Sequence, residues 1–243
     1  MTNRGEISAL PDISMHKAAT VAGFAIIIMT LAAVVATDIA IGPLIELGNP
    51  TATIQNIKSN LMLFRVGIVS WIVVLICDII AAWGLYVFLS PVDNSISLLS
   101  AWLRIVYTSI LGTSILNLNY VLELIVSEYH LTTIGYTNLE SQTWLFLNSF
   151  DSSWSVGLVV FSIHIFFLGY LGYKSTYIPK LLSVFLIIGF VGYMLIHLFN
   201  LLIPQFQNLL QILEWIFIIP MLSEVAFGLW LVVKGKNVKI DKK

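Results

Sequence analysis

Six stretches of this chain are each long and apolar enough to cross a lipid bilayer, and nothing else in the sequence constrains the fold as much. A membrane helix needs about 20 apolar residues, at 1.5 Å each, to cover about 30 Å of hydrocarbon. The stretches run from about Thr20 to Ile41, Met62 to Leu89, Ser97 to Val126, Ser152 to Tyr173, Pro179 to Leu202 and Leu210 to Val233. A β-barrel would need short segments alternating apolar and polar residues. Ala25 to Val35 instead reads AIIIMTLAAVV, apolar on every face. The sequence therefore predicts an all-α fold: a polytopic integral membrane protein built as a six-transmembrane-helix bundle (20–233), preceded by an N-terminal segment (1–19) and followed by a basic tail (234–243).

Composition narrows the function classes. The chain is 58% hydrophobic and 10% charged, with a mean hydropathy of +0.94, whereas a soluble domain keeps about a quarter of its residues charged to stay wet. A soluble enzyme and a nucleic-acid binder are both excluded, and a net charge of -1 gives no bulk attraction to nucleic acid. The lone Cys77 cannot form an intramolecular disulfide. Glu6, Asp12, His16 and Lys17 make the first nineteen residues too polar for a signal peptide, so the first span reads as a retained anchor.

Turn chemistry separates the spans: Gly48-Asn49-Pro50, Ser90-Pro91-Val92-Asp93-Asn94, Ser175 to Pro179, and Pro204. The longer connection from Ser127 to Asp151 contains Trp144-Leu145-Phe146-Leu147, which reads as a short amphipathic piece along the interface. Lys and Arg are retained on the cytoplasmic side during insertion. Arg4, Lys17, Arg104, Lys174, Lys180, Lys234, Lys236, Lys239, Lys242 and Lys243 fall on the side of the termini, against Lys58 and Arg65 opposite. Both termini are expected in the cytoplasm, with the protein in the plasma membrane of a bacterial cell.

An ionisable side chain near the bilayer centre costs about 2.5–3.5 kcal/mol on insertion scales, so each needs a partner or a purpose. Asp78, Arg104, His164 and Glu224 stand on four different spans, at depths within roughly 6 Å of one another when counted from the cytoplasmic ends. They define an expected intramembrane polar layer. On a 100° step, Arg104, Thr108, Gly112, Asn119 and Glu123 share one polar stripe, and Trp71, Asp78 and Leu85 share one line. Ser153, Gly157 and His164 align, as do Phe217, Met221, Glu224 and Gly228. Arg65 points away from Asp78 and is expected to snorkel outward. Pro220 has no N–H for the carbonyl of Ile216, which predicts a helix kink just before Glu224. The bland reading is that Arg104 neutralises one acid and locks the bundle. One Arg does not neutralise two acids, however, and the unbalanced charge motivates a proton relay. His197, near the outer end of its span, reads as an interfacial or hydrogen-bonded residue.

No HExxH, GxSxG, P-loop, GxGxxG or CxxC motif occurs. His164 and His197 lie at different depths, unlike a haem pair. A zinc site from Asp78, His164 and Glu224 would lack any local ligand spacing. No cofactor and no metal is expected. Asp78, His164 and Glu224 are each followed by a Gly and an aromatic residue: Gly84-Leu85-Tyr86, Gly169-Tyr170 and Gly228-Leu229-Trp230. An interfacial aromatic belt accounts for much of that pattern.

Longer motifs carry a resemblance. They are Gly84-Leu85-Tyr86-Val87-Phe88-Leu89-Ser90-Pro91-Val92 followed by Leu103-Arg104; Gly169-Tyr170-Leu171-Gly172-Tyr173-Lys174-Ser175 with Tyr177-Ile178-Pro179-Lys180-Leu181-Leu182; and Ser223-Glu224 with Leu229-Trp230-Leu231-Val232-Val233-Lys234-Gly235. In this order they resemble a largely bacterial family of small multi-helix membrane proteins, domain of unknown function 4386. The resemblance implies the same architecture and points to Arg104 and Glu224, and it names no substrate. Three functions follow as expectations. The first is transport or permeation of a small solute or a proton, with the lipid bilayer as the protein's surroundings. The second is a non-enzymatic membrane interaction or sensing protein. The third is an intramembrane enzyme on a lipid-like substrate, with Glu224 or His164 as acid or base.

Overall fold

The structure, a computed structural model, describes residues 14–127, 135–203, 205, 212, 215–216, 222–235 and 238. Helix α1 covers Met15–Val34, started by Ser14, whose hydroxyl accepts from the Lys17 N–H at 3.3 Å. It runs on as a π-helical turn over Val35–Ile41 and a 3-10 turn over Gly42–Leu44. Pro43 has no N–H for the carbonyl four residues back, so the α-helical ladder cannot persist here. Helix α2, Pro50–Ser59, follows Gly48, whose φ of 77° is the left-handed turn that a glycine adopts without strain. Its Asn49 cap accepts from the Ala52 N–H at 3.1 Å. Gly48-Asn49-Pro50 carries turn chemistry in the sequence. An Asn cap followed by Pro at the first helical position is also a helix start, and Ile54 and Ile57 bury its inner face.

Helix α3 is Leu61–Leu89 and α4 is Asn94–Val126, the latter capped by Asp93, which accepts from the Ile96 N–H at 3.2 Å. Helix α5 is continuous over Tyr136–Lys174, so the segment around Trp144 is the first part of this helix rather than a separate interfacial piece. Its 39 residues reach about 58 Å at 1.5 Å per residue, well past the hydrocarbon thickness. Burial of Leu139, Thr143, Leu147 and Phe150 keeps the extension attached to the body. Helix α6 is Lys180–Leu202 and α7 is Ser223–Val233. Pro220 and most of Leu210 to Met221 lie outside the described residues, and the expected kink lies there with them.

Among the described residues, five helices are long and apolar enough to cross a membrane: Met15–Leu44, Leu61–Leu89, Asn94–Val126, Thr137–Lys174 and Lys180–Leu202; Ser223–Val233 is a shorter apolar helix. No strand occurs among the described residues. Phe24, Ile28, Leu31, Ile72, Ile76, Ile79 and Trp83 are exposed, an apolar exterior suited to lipid rather than water.

Neighbouring spans are antiparallel. One end, here the terminal face, carries Met15, Leu89, Asn94, Lys174, Lys180 and Val233; the far face carries Leu44, Leu61, Val126 and Leu202. Glycines bring the helices together near the terminal face. A Cβ on Gly84 would stand 2.9 Å from the Ala18 carbonyl oxygen, one on Gly169 2.9 Å from that of Ser183, and one on Gly23 2.7 Å from that of Gly228. Close backbone approach through small residues is the usual device for packing helices in lipid. The glycine in each of the three glycine–aromatic repeats is therefore a helix contact point, which an aromatic belt alone does not explain.

Candidate functional site

Arg104 stands ten residues beyond the start of α4 with its side chain 0% exposed, and the surrounding helices bring an acceptor to every N–H it owns. Nε and Nη2 donate to Asp78 Oδ1 of α3 at 2.9 and 2.7 Å. Nη1 donates to Glu224 Oε1 of α7 at 2.6 Å and faces His164 Nε2 of α5 at 3.2 Å. The second Nη2 hydrogen points to Met29 Sδ of α1 at 3.2 Å. A guanidinium has five N–H donors in a rigid fork, and all five are engaged. Phe161 adds a ring face 5.4 Å from the guanidinium carbon.

The structure thus brings Asp78, Arg104, His164 and Glu224 to one buried point. His164 Nδ1 lies 2.9 Å from both the Ser100 carbonyl oxygen and the Ser100 hydroxyl. The guanidinium only donates, so Nε2 presents its lone pair to Arg104 and the ring proton falls on Nδ1, where the Ser100 carbonyl accepts it. On that assignment His164 is neutral. The cluster then holds two carboxylates and one cation, and one negative charge is left over unless a carboxyl carries a proton. Asp78, 1% exposed, uses only Oδ1; its Oδ2 is buried and has no hydrogen-bond partner among the described residues.

A cavity of about 1000 Å³ adjoins this cluster, with Asp78 and Glu224 in its lining. Trp71, Tyr107, Trp154, Phe161 and Tyr193 give it an aromatic wall, and Thr37 and His197 line it as well. Trp71 precedes Asp78 by seven residues and Thr37 follows Met29 by eight, so the cavity extends from the cluster about 10–12 Å toward the far face. Thr37 lies in the π-helical turn of α1, a departure from regular helix often found at functional sites. On the other side of the cluster the glycine contacts draw α1 against α3 and α7, and α5 against α6. The Trp154 indole N–H is also buried and closes no hydrogen bond of ordinary geometry among the described residues.

Other expected positions separate from the cluster. Asn119 and Glu123 are exposed; the buried face of α4 passes instead through Tyr107, Leu111, Leu118 and Val121, to one side of the expected stripe. Arg65 is exposed, and His197 faces the Ser155 hydroxyl at 3.4 Å. The sequence reading missed Met29, Ser100 and the aromatic wall. Trp71, on the Asp78 line of α3, was the available signal. Among the described residues no group of three or more His, Cys, Asp or Glu gathers as a metal site, and the Arg104 guanidinium occupies the space between the two carboxylates.

This chain belongs to the family described as Domain of unknown function (DUF4386), whose model matches residues 21–235. An uncharacterized protein of Archaeoglobus fulgidus is 30% identical over 174 residues, covering 70% of this chain and 85% of the relative. No solved structure matches the chain.

Proposed function

We propose that this DUF4386 protein moves a small solute or a proton across the cytoplasmic membrane through the polar layer of Asp78, Arg104, His164 and Glu224. The observation that carries this reading is the asymmetry around Asp78. On one side Asp78 lines a cavity of about 1000 Å³, while on the terminal-face side glycines bring neighbouring helices into close backbone contact. A solute or proton entering from the far face would reach Asp78 and stop. Completing the passage requires the contacts around Gly23, Gly84 and Gly169 to part, which is alternating access by rocking of packed helices about a fixed midplane site.

The proposal includes the topology. The apolar stretch from Leu210 to Val233 counts as the sixth span, with residues 1–19 and 234–243 as cytoplasmic segments. Among the described residues Lys17, Lys174, Lys180 and Lys234 lie at the terminal face and Lys58 and Arg65 toward the far face, which supports cytoplasmic termini.

The test is proton flux into liposomes holding a pH-sensitive dye, driven by a potassium diffusion potential, for wild type and Asp78→Asn. Wild type is expected to exceed protein-free vesicles, and Asp78→Asn to cut that excess by at least about a hundredfold, the lower end of what one positioned acid–base group contributes. Wild-type flux equal to that of empty vesicles, for protons and for a panel of labelled small solutes, overturns the reading.

A further inference from the structure

Two carboxylates, one guanidinium and an aromatic wall together select a ligand by its charge and its hydration. The cluster carries one uncompensated negative charge when both Asp78 and Glu224 are ionised, because Arg104 supplies one positive charge and His164 none in the tautomer its contacts require. Asp78 Oδ2 is the oxygen on which that charge stands free of hydrogen bonds among the described residues, and Asp78 lines the cavity. An anion would meet repulsion there, since every N–H of Arg104 is already engaged.

Among cations, the lining discriminates further. A hard ion such as Mg²⁺ or Ca²⁺ needs about six to eight oxygen ligands to replace its water. Apart from the two carboxylates, Thr30, Thr37 and His197, this lining is aromatic and aliphatic. Trp71 and Trp154 meet edge to face at 4.8 Å, and Tyr107, Phe161 and Tyr193 form a second chain of contacts at 4.8 and 5.5 Å. Phe161 already faces the Arg104 guanidinium, which shows the wall accepting a dispersed cation. Aromatic faces attract organic cations, whose charge is spread and whose hydration is weak, and enclose their hydrocarbon at the same time. The volume suits a drug-sized molecule, at the upper end of small-molecule pockets.

We propose that the cavity binds a lipophilic organic monocation, a protonated amine or a quaternary ammonium or phosphonium, with its charge toward the excess negative charge of the Asp78–Glu224 carboxylates in the cavity lining and its apolar body among Trp71, Tyr107, Trp154 and Tyr193. This names the solute class and rests on the reading of the same cavity as a solute site.

The experiment compares two ions of one shape and opposite charge, tetraphenylphosphonium and tetraphenylborate, by tryptophan fluorescence titration of the full chain in lipid nanodiscs, with empty nanodiscs as the partition control. Expected is saturable phosphonium binding by wild type, no saturable borate binding, and at least a tenfold rise in phosphonium Kd in Asp78→Asn. Equal binding of the two ions, no saturable phosphonium binding above the control, or an unchanged Kd in a folded Asp78→Asn protein overturns the proposal. Should Asp78→Asn fail to fold, discrimination between the two ions by wild type decides alone. The measurement needs no transport. Proton flux in liposomes without phosphonium binding removes this inference and leaves the transport reading, whereas binding without flux of protons or phosphonium does the reverse.

Discussion

Arg104 of α4 donates to Glu224 of α7 at 2.6 Å across 120 residues of sequence, with both side chains out of solvent. The same guanidinium holds Asp78 through two further bonds, so it stands between acids that would otherwise repel each other in a low-dielectric interior. The three charges are therefore unequal in what their loss exposes. Removing Arg104 leaves two buried carboxylates without a counter-charge; removing Glu224 leaves a neutral, doubly bonded Arg104–Asp78 pair.

Arg104→Gln is accordingly expected to destabilise strongly, by about 3–5 kcal/mol, the range for breaking a buried pair from one side. Glu224→Gln should cost clearly less, because one hydrogen bond is weakened and the excess negative charge is relieved. Thermal unfolding of the detergent-purified proteins at neutral pH checks the order. A Glu224→Gln midpoint as low as that of Arg104→Gln would mean that Glu224 is charged and indispensable to the pair.

How much of this was legible beforehand differs by feature. The spans were legible because burial in hydrocarbon demands length and apolarity, and α3, α4 and α6 begin and end within a few residues of the expected positions. The grouping of Asp78, Arg104, His164 and Glu224 could be suspected from depth alone, since four ionisable groups at one level of a bundle have few other places to go. Direction was harder. A fixed 100° step sets Glu123 100° from Arg104, at the far edge of the expected stripe, whereas the buried side of α4 turns the other way through Tyr107, Leu111 and Leu118, so Glu123 is exposed. The cavity was invisible for a different reason. It is a property of six helices at once, and no single stretch encodes the space between Trp71 and Tyr193.

Glycine packing at the terminal face gives a second outcome. Gly23→Ala places a methyl 2.7 Å from the Gly228 carbonyl oxygen, a backbone atom that moves only if α1 and α7 separate. Overpacking of this kind costs about 1–3 kcal/mol. Gly112→Ala is the control, since its methyl would meet only the flexible end of Leu75 at 3.1 Å. Unfolding midpoints should fall for the first variant and barely move for the second. Equal midpoints would show that the α1–α7 approach is slack.

Asp93 ties the α4 start to the α5 end. Its carboxylate accepts from Lys174 Nζ at 2.8 Å and from the Ile96 N–H, and these bonds, Lys174 first, hold its pKa below the ordinary carboxylate value. A lowered folded-state pKa adds stability above the unfolded-state pKa, and that stability is lost as pH falls through the folded value. Lys174→Met should therefore lower the unfolding midpoint slightly at neutral pH, and the difference from wild type should vanish in acid below the carboxylate range. Raised salt should shrink it too, because the pair is partly exposed. Asp93→Asn keeps a capping oxygen and should be milder than Asp93→Ala. A Lys174→Met deficit that grows in acid would refute the assignment.

His164 offers a check on protonation that requires no assay of function. Its Nδ1 faces the Ser100 carbonyl at 2.9 Å, an oxygen that can only accept, while Nε2 faces an Arg104 N–H at 3.2 Å. Both contacts are satisfied by one arrangement only, the neutral ring with its proton on Nδ1. An imidazolium would turn a second N–H directly against the guanidinium, and the opposite neutral tautomer would set a lone pair against the Ser100 carbonyl. Solid-state NMR of ¹⁵N-histidine protein in lipid, with His164 assigned by its loss in His164→Gln, should show a protonated Nδ1 and an unprotonated Nε2 at neutral pH. Protonation of both nitrogens would supply the missing positive charge at Arg104, balance both carboxylates, and remove the leftover charge on which the cation site depends.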